Sequence, residues 1–367
     1  MRIVFDCRYT RTDVPDGITR FTSGLVGALG RLHPVVMLIS DHEQLRFLPD
    51  LPWELAPSPT GPREPLVARR VNRLRPDVVF SPMQTMGSWG RRYALVLTVH
   101  DLIYYRHRTP PRHVPWGVRV LWRLYHLAWW PQRLLLDRAD AVATVSRTTA
   151  ELIAEHRLTH REVVVIPNAV EPGAETDDAP PGPRERLLVY MGSFMPYKNV
   201  DALVRAAAEL PDYELHLMSP APAGEEERLA ALAPGARLVF HRGASDEAYR
   251  ALLRRATALV TASRDEGFGI PLIEAMQEGT PVIASEIPIF REIAGDAAIF
   301  ADPDDPSAFA RAVRALEDES EWRRRSEAAR SKAASYSWGA SAERLLALLT
   351  RLAGNGSSRR RGRARGR

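Results

Sequence analysis

The chain has 367 residues, of which 45% are hydrophobic and 26% are charged, and its formal net charge is +5. Such a composition is typical of a globular protein with room for two hydrophobic cores. No stretch of eighteen apolar residues occurs and strand-like residues begin the sequence, so neither a membrane-spanning helix nor a signal peptide is indicated. We therefore expect a cytoplasmic protein, and its single cysteine excludes an internal disulfide.

The positive charge lies mainly in the C-terminal tail. Residues 354–367 hold six of the 50 basic residues, and without them 44 basic residues face 45 acidic ones. The body of the protein is therefore not basic, which argues against nucleic acid as a partner. The composition of the tail predicts disorder. Two interpretations of it stay open, contact with anionic lipid or polyphosphate and simple solvation.

Strand patterns alternate with helix patterns in both halves, which predicts parallel sheets covered on both faces. In the first half the predicted strands are Arg2–Cys7, Val35–Ser40, Asp77–Ser81, Ala94–Val99, Ala141–Ser146 and Val163–Pro167. In the second half they are Arg186–Met191, Glu214–Met218, Arg237–His241, Thr257–Ala262, Pro281–Ala284 and Ala298–Phe300. A segment rich in Pro, Gly and acidic residues separates the halves. We predict domains at 1–172 and 186–338, a linker at 173–185, and a last helix at 339–353.

Three glycines follow the first strand at helical spacing, and a fourth begins the same helix. Gly17 lies in Asp16–Arg20, where it would let backbone amides approach a phosphate or an acceptor, or would only form a turn. Gly24, Gly27 and Gly30 fall within the helix and not at the strand-to-helix turn. They therefore predict a closely packed helix face and not a dinucleotide site.

A His-Asp pair ends the fourth predicted strand of the first half. His100 and Asp101 follow the buried segment Ala94–Val99, and open α/β sheets bind ligands at the carboxyl ends of their strands. The position favours a role in a binding cleft. The alternative is a pair that closes a turn at the strand end.

Residues 116–136 concentrate tryptophan and arginine. Trp116, Trp122, Trp129 and Trp130 occur among Arg119, Arg123 and Arg133. This composition suits a helix at a membrane interface, which would make a lipid-linked acceptor plausible. Helical spacing of core residues with solvated arginines explains the pattern equally well.

Lysine is nearly absent, since Lys198 and Lys332 are the only two in the chain. Lys198 follows a predicted strand, Gly192 and a Pro-Tyr pair. A lysine in a chain that otherwise uses arginine indicates a need for a compact point charge, as in phosphate binding. A solvated lysine at a helix start is the alternative.

The segment Arg264–Met276 places two carboxylates around a glycine-containing loop that begins a helix. Glu266 lies in the loop and Glu274 in the first turns of the helix, where Pro271 is well suited. Amides at the positive end of the helix dipole would receive a diphosphate, and Gly267 and Gly269 would allow its close approach. An ordinary capped helix start is the alternative.

These segments resemble the retaining family 4 glycosyltransferases of group 1, which have the GT-B fold. The E-x7-E spacing of Glu266 and Glu274, the continuation at 284–303, and the Pro-x-Lys-Asn segment at 196–199 carry the resemblance. In that family the first Glu lies beside the donor sugar and the second binds the ribose. The resemblance implies an α/β fold of two Rossmann-like, doubly wound parallel-sheet domains that face each other across a cleft.

The resemblance also implies the site. The catalytic residues that it implies are His100, Asp101, Glu266 and Lys198. The donor-binding residues that it implies are Gly17, Gly192, Lys198, Arg264, Gly267, Phe268, Gly269 and Glu274. No metal is expected, because Asp-x-Asp is absent from a plausible site and no metal-type His or Cys spacing occurs. No other cofactor is expected.

The function implied is metal-independent transfer, with retention, of a hexose from a nucleoside diphosphate sugar to a hydroxyl of a glycan or lipid-linked acceptor. Mannose from GDP-mannose is the common case in the family. The resemblance is to cytoplasmic enzymes of polysaccharide synthesis, and the Trp-Arg segment allows a peripheral location at an anionic membrane surface.

One departure from the family pattern keeps alternatives open. Ser193 and Tyr197 stand where many relatives have arginine, so a second cation for the diphosphate must come from elsewhere, with Arg242 and Arg264 as candidates. A nucleotide-sugar-binding subunit that has lost turnover is one alternative function. A sugar-nucleotide epimerase with the same fold is another, whereas a phosphorylase is disfavoured because the chain offers no pyridoxal-type lysine besides Lys198 and Lys332.

Overall fold

A computed structural model describes residues 1–108, 116–171 and 184–364, and for Val118 and residues 355–364 it describes the backbone alone. The chain divides into two compact units. Unit 1 consists of Met1–Glu171 and Ser337–Arg367, and unit 2 consists of Pro172–Tyr336. The predicted linker 173–185 lies mostly outside the described residues.

Unit 1 contains a seven-stranded parallel sheet in the order β3-β2-β1-β4-β5-β6-β7. Its strands are β1 (Ile3–Asp6), β2 (Val35–Ile39), β3 (Trp53–Leu55), β4 (Val78–Ser81), β5 (Ala94–Val99), β6 (Ala141–Thr144) and β7 (Glu162–Val165). Its first helices are α1 (Gly17–Leu32), α2 (Val67–Val71), α3 (Ile103–Arg106), α4 (Trp116–Tyr125), α5 (Trp130–Leu136) and α6 (Arg147–Glu155). Short 3₁₀ helices occur at His42–Arg46, Glu64–Leu66 and Asn72–Leu74.

Unit 2 contains a six-stranded parallel sheet in the order β10-β9-β8-β11-β12-β13. Its strands are β8 (Glu185–Tyr190), β9 (Glu214–Leu217), β10 (Arg237–Phe240), β11 (Ala256–Thr261), β12 (Val282–Ser285) and β13 (Ala298–Ala301). Its helices are α7 (Val200–Ala208), α8 (Glu225–Leu232), α9 (Asp246–Arg255), α10 (Ile270–Gln277), α11 (Pro288–Ala294), α12 (Pro306–Ala315) and α13 (Glu319–Ala333). Pro196–Lys198 and Gly295–Ala297 are 3₁₀ helices.

Both sheets form where the sequence has short apolar runs. All residues of β4, β6, β11 and β12 are buried, as expected for strands covered by helices on both faces. Every predicted strand is present, with its ends shifted by at most two residues, so the prediction of two parallel α/β sheets is confirmed. Only the edge strand β3 was missed. It has three residues, of which Trp53 and Leu55 are exposed, so it has neither the length nor the burial pattern of the others.

The strand order places a reversal point in each sheet. In unit 1 the chain moves outward from β1 to β3 and then returns to pair β4 with β1. In unit 2 it moves from β8 to β10 and returns to pair β11 with β8. Ligands of open α/β sheets bind outside the carboxyl ends of the strands at such a point. Ligands are therefore expected at the loops after β1 and β4 in unit 1, and at the loops after β8 and β11 in unit 2.

The glycine face of α1 is closely packed, as the sequence predicted. A Cβ at Gly24 would lie 2.2 Å from the Trp338 ring, and one at Gly30 would lie 2.8 Å from Leu51. Trp338 begins α14 (Trp338–Ala364), which belongs to unit 1 although it follows unit 2 in sequence. Ser341 Oγ of α14 donates a hydrogen bond of 2.8 Å to the Pro167 carbonyl. The small residues of α1 thus allow the last helix to lie against it.

Helix α14 is longer than predicted. It continues past Ala353 to Ala364, into the arginine-rich segment for which the composition predicted disorder. Arginine has a high helix propensity, and extending a formed helix costs far less than starting one. Residues 365–367 lie outside the described residues.

The packing of α1 yields a stability prediction. Gly24→Ala should destabilise the protein by about 1–3 kcal/mol, because the added methyl group overlaps the indole of Trp338. Gly27→Ala is the matched control on the same helix, since its Cβ would lie 3.8 Å from Pro49 in ordinary contact. It should be neutral or stabilise by up to about 1 kcal/mol, through the higher helix propensity of alanine. Thermal unfolding of the two variants compares them, and equal stability would contradict the packing argument.

Candidate functional site

Lys198 and Glu266 meet at the reversal point of the unit 2 sheet. Lys198 ends the 3₁₀ helix that follows β8, and Glu266 lies in the loop that follows β11. Lys198 Nζ forms an ion pair with Glu266 Oε1. Their side chains are 13% and 17% exposed. Two charges that the sequence singled out separately are therefore direct partners, largely withdrawn from water.

Backbone contacts fix the position of both loops. The Arg264 amide donates a hydrogen bond of 2.8 Å to the Tyr197 carbonyl, which ties the loop after β11 to the loop after β8. Asn199 adopts the left-handed conformation, with φ of 53°, and its Nδ2 donates to the Pro303 carbonyl at 2.8 Å. Asparagine tolerates this conformation better than most residues. The ammonium of Lys198 is thus held by a constrained segment.

Gly192 is required by the side chain two residues before it. A Cβ at Gly192 would lie 2.7 Å from Tyr190 Oη, and that hydroxyl donates to the Ser193 carbonyl at 2.7 Å. Burial raises the pKa of Tyr190 above its ordinary value, and the negative charge of Glu266 raises it further. The Tyr190 hydroxyl is therefore a permanent proton donor that shapes the loop after β8.

The second glycine loop begins α10. Gly269 has φ of 97°, a left-handed conformation that favours glycine, and Pro271 occupies the first turn of the helix. Phe268 is 5% exposed and packs edge-on against Tyr336, with ring centroids 5.9 Å apart. Glu274 lies within α10 and is 8% exposed. The loop of Glu266, Gly267 and Phe268 is thus held between the buried strand β11 and the half-buried ring of Tyr336.

Both candidates for a second cation have carboxylate partners at the surface. Arg264 Nη2 lies 2.5 Å from Asp304 Oδ1, and the two side chains are 41% and 68% exposed. Arg242 contacts Glu226 with two hydrogen bonds of 2.9 and 2.8 Å. Exposed pairs of this kind are weak and exchange readily for another anion. Arg264 immediately precedes Asp265 and Glu266, so it is the candidate beside the Lys198–Glu266 pair.

In unit 1, His100 has a defined tautomer. Its Nε2 lies 2.7 Å from the Pro82 carbonyl, which can only accept, so Nε2 carries the proton. Burial lowers the pKa of His100 below its ordinary value and favours the neutral ring. The neutral ring leaves Nδ1 as a hydrogen-bond acceptor. The ring also packs edge-on against Phe21 of α1, with centroids 4.9 Å apart.

Asp101 closes a turn at the end of β5, which is the role that the sequence analysis gave as the alternative to a place in a binding cleft. Its Oδ1 accepts a hydrogen bond of 3.0 Å from the Ile103 amide and so closes the turn before α3. His100 and Asp101 also line a cavity of about 140 Å³, together with Ile18, which follows Gly17 at the start of α1. The start of α1 and the end of β5 therefore meet at one cavity. Asp16 caps α1 by accepting from the Thr19 amide at 2.8 Å.

Sequence reasoning missed a buried charge network at the reversal point of unit 1. Arg8, which is 2% exposed, pairs with Asp6 and with Glu64. Glu64 Oε1 also accepts from the Gly87 amide at 2.9 Å, and a Cβ at Gly87 would lie 1.8 Å from the Glu64 carbonyl oxygen. The network fixes the segment after β4. Asp6 and Arg8 at the end of an apolar first strand were the available signal.

Two other kinds of feature are absent from the described part of the chain. Among residues 1–108, 116–171 and 184–364, no group of three or more His, Cys, Asp or Glu side chains could hold a metal ion. Within the same residues, no helix combines the length and apolar character needed to cross a membrane.

Comparison with known families and proteins was made for the whole chain. A family model described as glycosyl transferases group 1 matches residues 175–332, and one described as glycosyltransferase family 4 matches residues 15–173. The O-antigen chain mannosyltransferase RfbU of Salmonella typhimurium is 30% identical over 190 residues, 50% of this chain and 53% of that protein. The MMP alpha-(1->4)-mannosyltransferase of Mycolicibacterium hassiacum is 29% identical over 213 residues, 55% of this chain and 51% of that protein. The chain thus spans about half the length of these curated relatives.

Solved structures resemble the whole fold. A sucrose-phosphate synthase from Thermosynechococcus elongatus has a TM-score of 0.70 at 19% identity, covering 96% of this chain and 99% of that one. Anabaena HepE in complex with UDP and glucose has a TM-score of 0.68 at 16% identity, covering 95% of this chain and 99% of that one. At these identities the likeness concerns the fold, which is that of the GT-B glycosyltransferases.

The environment of His100 yields a pH prediction. Its pKa is lower in the folded protein than the ordinary value of about 6.5, so the unfolded chain takes up the proton first as the pH falls. Stability should therefore decrease as the pH falls below about 6.5, until the folded pKa is reached. His100→Gln removes this contribution, so its melting temperature should fall less between pH 7 and pH 5.

Other histidines have to be separated from this effect. His42→Gln, at an exposed position in unit 1, is the control, and it should retain the pH dependence of the wild type. Thermal unfolding across the pH range makes the comparison. An identical pH slope in His100→Gln and the wild type would contradict the assignment.

Proposed function

We propose that this chain, a group 1 glycosyltransferase, transfers a hexose from a nucleoside diphosphate sugar to a hydroxyl acceptor, with retention and without a metal. The group 1 model matches its second half, and the family 4 model matches its first half. The acceptor is a glycan or a lipid-linked saccharide. The mannosyltransferases among its relatives favour mannose as the hexose. The observation that carries the proposal is the Lys198–Glu266 pair at the reversal point of unit 2.

Lys198 is the group proposed to bind the diphosphate. It is one of two lysines in the chain, its loop is fixed by backbone contacts, and its ammonium is mostly shielded from water. A charge in such a site stabilises the developing negative charge of a leaving group more strongly than a charge in water. Backbone amides near Gly192, Gly267 and Gly269, and the cation of Arg264, would complete the anion site.

The two glutamates are proposed to act at opposite ends of the donor. Glu266 would accept hydroxyls of the transferred sugar, and Glu274 would accept those of the ribose, as the E-x7-E pattern implies. A diphosphate carries more negative charge than one carboxylate. It would therefore compete with Glu266 for Lys198, and this exchange would leave the Glu266 carboxylate available to the sugar.

The reaction is proposed to form the bond between the anomeric carbon and the acceptor oxygen on the face from which the diphosphate departs. The bond from the anomeric carbon to the phosphate oxygen breaks, and the nucleoside diphosphate leaves with the electron pair. The acceptor proton passes to the departing phosphate oxygen. In unit 1, neutral His100 offers Nδ1 to a sugar hydroxyl, and Asp101 fixes the turn beside it.

Replacing Lys198 tests the proposed diphosphate site. Lys198→Ala should lower kcat about 10²–10³-fold with the preferred donor, the range found when an electrostatic stabiliser of a transition state is removed. Lys332→Ala is the matched control, because it removes the other lysine of the chain. Lys332 belongs to α13, and its ammonium lies over the Tyr336 ring. The measurement is release of nucleoside diphosphate from a panel of GDP- and UDP-sugars with a simple acceptor.

The same assay tests the finer parts of the proposal. A chelator should leave the rate unchanged, and NMR of the product should show the anomeric configuration of the donor. Equal rates for the wild type and Lys198→Ala would exclude the proposed role of Lys198. Donor binding without turnover would instead favour the alternative of a nucleotide-sugar-binding subunit that has lost activity.

The ion pair itself makes an unusual prediction for Glu266. Glu266→Gln removes the carboxylate that competes for Lys198, so free nucleoside diphosphate should bind more tightly, by about fivefold for each ~1 kcal/mol that the ion pair contributes. Hexose transfer should fall sharply in the same variant. Calorimetric titration and the transfer assay separate the two effects. Weaker binding of the diphosphate would show that Glu266 helps to hold the anion site instead of competing for it.

A further inference from the structure

An exposed apolar surface covers the outer side of α4 and α5 in unit 1. We call it the α4–α5 face. Trp116 is 82% exposed, Leu121 68%, and Trp130 61%. Its other exposed members are Val120, Leu124, Leu127 and Leu134, with exposed fractions of 49%, 57%, 57% and 60%. Single exposed apolar residues are normal, but seven large ones on α4, α5 and the turn between them indicate an interaction surface.

The α4–α5 face is surrounded by positive charge. No Asp or Glu occurs between Asp101 and Asp137. Arg119 and Arg123 lie on α4 among the exposed apolar side chains, and no carboxylate of the described residues pairs with either. Arg133 of α5 donates to two backbone carbonyls, those of His156 and Arg157, and so keeps its charge unneutralised. The surface therefore combines large apolar side chains with net positive charge.

The inner side of the same helices is firmly packed. Tyr105 stacks on Trp129 with ring centroids 3.9 Å apart, and Trp129 stacks on His156 at 4.2 Å. The buried Gln132 of α5 donates to Gln84 Oε1 at 2.8 Å. The exposed apolar side chains are thus carried by helices with a well-formed core side, and they face outward because the core side is already occupied.

We propose that the α4–α5 face docks on an anionic lipid membrane. Tryptophans at the membrane interface, leucines in the acyl boundary and arginines at the headgroups are the arrangement of an interfacial helix. Arginines near an anionic leaflet each contribute to the attraction. A second copy of the chain is the less favoured occupant. A symmetric dimer through this face would bring Arg119 and Arg123 against their own equivalents, without a carboxylate to offset them.

Docking of the α4–α5 face would also favour one class of acceptor, an inference that rests on the proposed function. His126, directly after α4, lines the same cavity as His100 and contacts Trp122 of α4, with ring centroids 4.0 Å apart. The helix that would lie on the membrane therefore borders the cavity at the end of β5. A saccharide carried on a membrane lipid is the class of acceptor that this arrangement would deliver there.

The test is sedimentation with vesicles, in the absence of donor and acceptor. The wild type should sediment with vesicles containing phosphatidylglycerol and not with pure phosphatidylcholine, and added salt should weaken the binding. Arg119→Gln with Arg123→Gln should reduce binding to anionic vesicles by about tenfold or more, on the basis of two arginines near the surface. Leu121→Gln with Leu124→Gln should reduce it at least as much, through the lost apolar insertion.

Matched controls are available at other exposed positions. Leu32→Gln with Leu55→Gln changes two apolar residues that are 44% and 42% exposed, and Arg323→Gln with Arg324→Gln removes two surface arginines of α13. These variants should bind vesicles like the wild type. Thermal unfolding of every variant confirms that it is folded.

Three results would overturn the docking proposal. They are equal binding by the α4–α5 variants and the controls, equal binding to neutral and anionic vesicles, and a dimer in analytical ultracentrifugation that the leucine pair of substitutions dissociates. Transfer to a water-soluble acceptor is measured in parallel and should be unchanged in the α4–α5 variants. A failure of membrane docking is thereby distinguished from a failure of the proposed catalytic function.

Discussion

The pairing of β11 with β8 is the constraint on which the candidate site depends. Because the two strands are parallel neighbours at the reversal point of the sheet, the loops that leave their carboxyl ends must lie side by side. One loop carries Lys198 and the other carries Glu266. Either charge alone would be costly to withdraw from water, and each makes the burial of the other acceptable. The Arg264–Tyr197 backbone hydrogen bond then holds the two loops in the register that this pair needs.

The same constraint has a different result in unit 1. The pairing of β4 with β1 brings the loop after β4 beside Asp6 and Arg8, where Glu64 completes a buried network that fixes Gly87. That loop in turn supplies the Pro82 carbonyl that sets the tautomer of His100. The network of Asp6, Arg8 and Glu64 has no evident role in ligand binding. It fixes the loop whose Pro82 carbonyl sets the tautomer of His100, at the end of β5. The same kind of strand order therefore positions the ammonium of Lys198 in unit 2 and the neutral imidazole of His100 in unit 1.

The sequence predicted those features that depend on local pattern. Strands such as β5 and β11 are short apolar runs whose residues are nearly all buried, so their positions follow from composition alone. The edge strand β3 has no such pattern and was missed. Lys198 was identified from the scarcity of lysine, Glu266 from the glycine-containing loop that begins a helix, and His100 from its position at the end of a strand. Their partners were not, because an ion pair between residues 198 and 266, or a hydrogen bond from His100 to Pro82, depends on which strands are neighbours. The extension of α14 was missed for another reason, since glycine and arginine content predicts disorder without regard to the helix that precedes it.

Lys198 occupies a different kind of position from the arginines of the α4–α5 face. Only two of the 50 basic residues are lysines, and one of them lies at the reversal point of unit 2. The ammonium of lysine is a compact charge that can approach a phosphate closely in a narrow, fixed loop. The guanidinium of arginine is more weakly hydrated and has an apolar stem, so it suits a surface such as the α4–α5 face, where charged groups lie among exposed apolar side chains. At Lys198, one of the two positions where the chain uses lysine, a compact charge therefore lies in a narrow and fixed loop, whereas Lys332 lies over the Tyr336 ring.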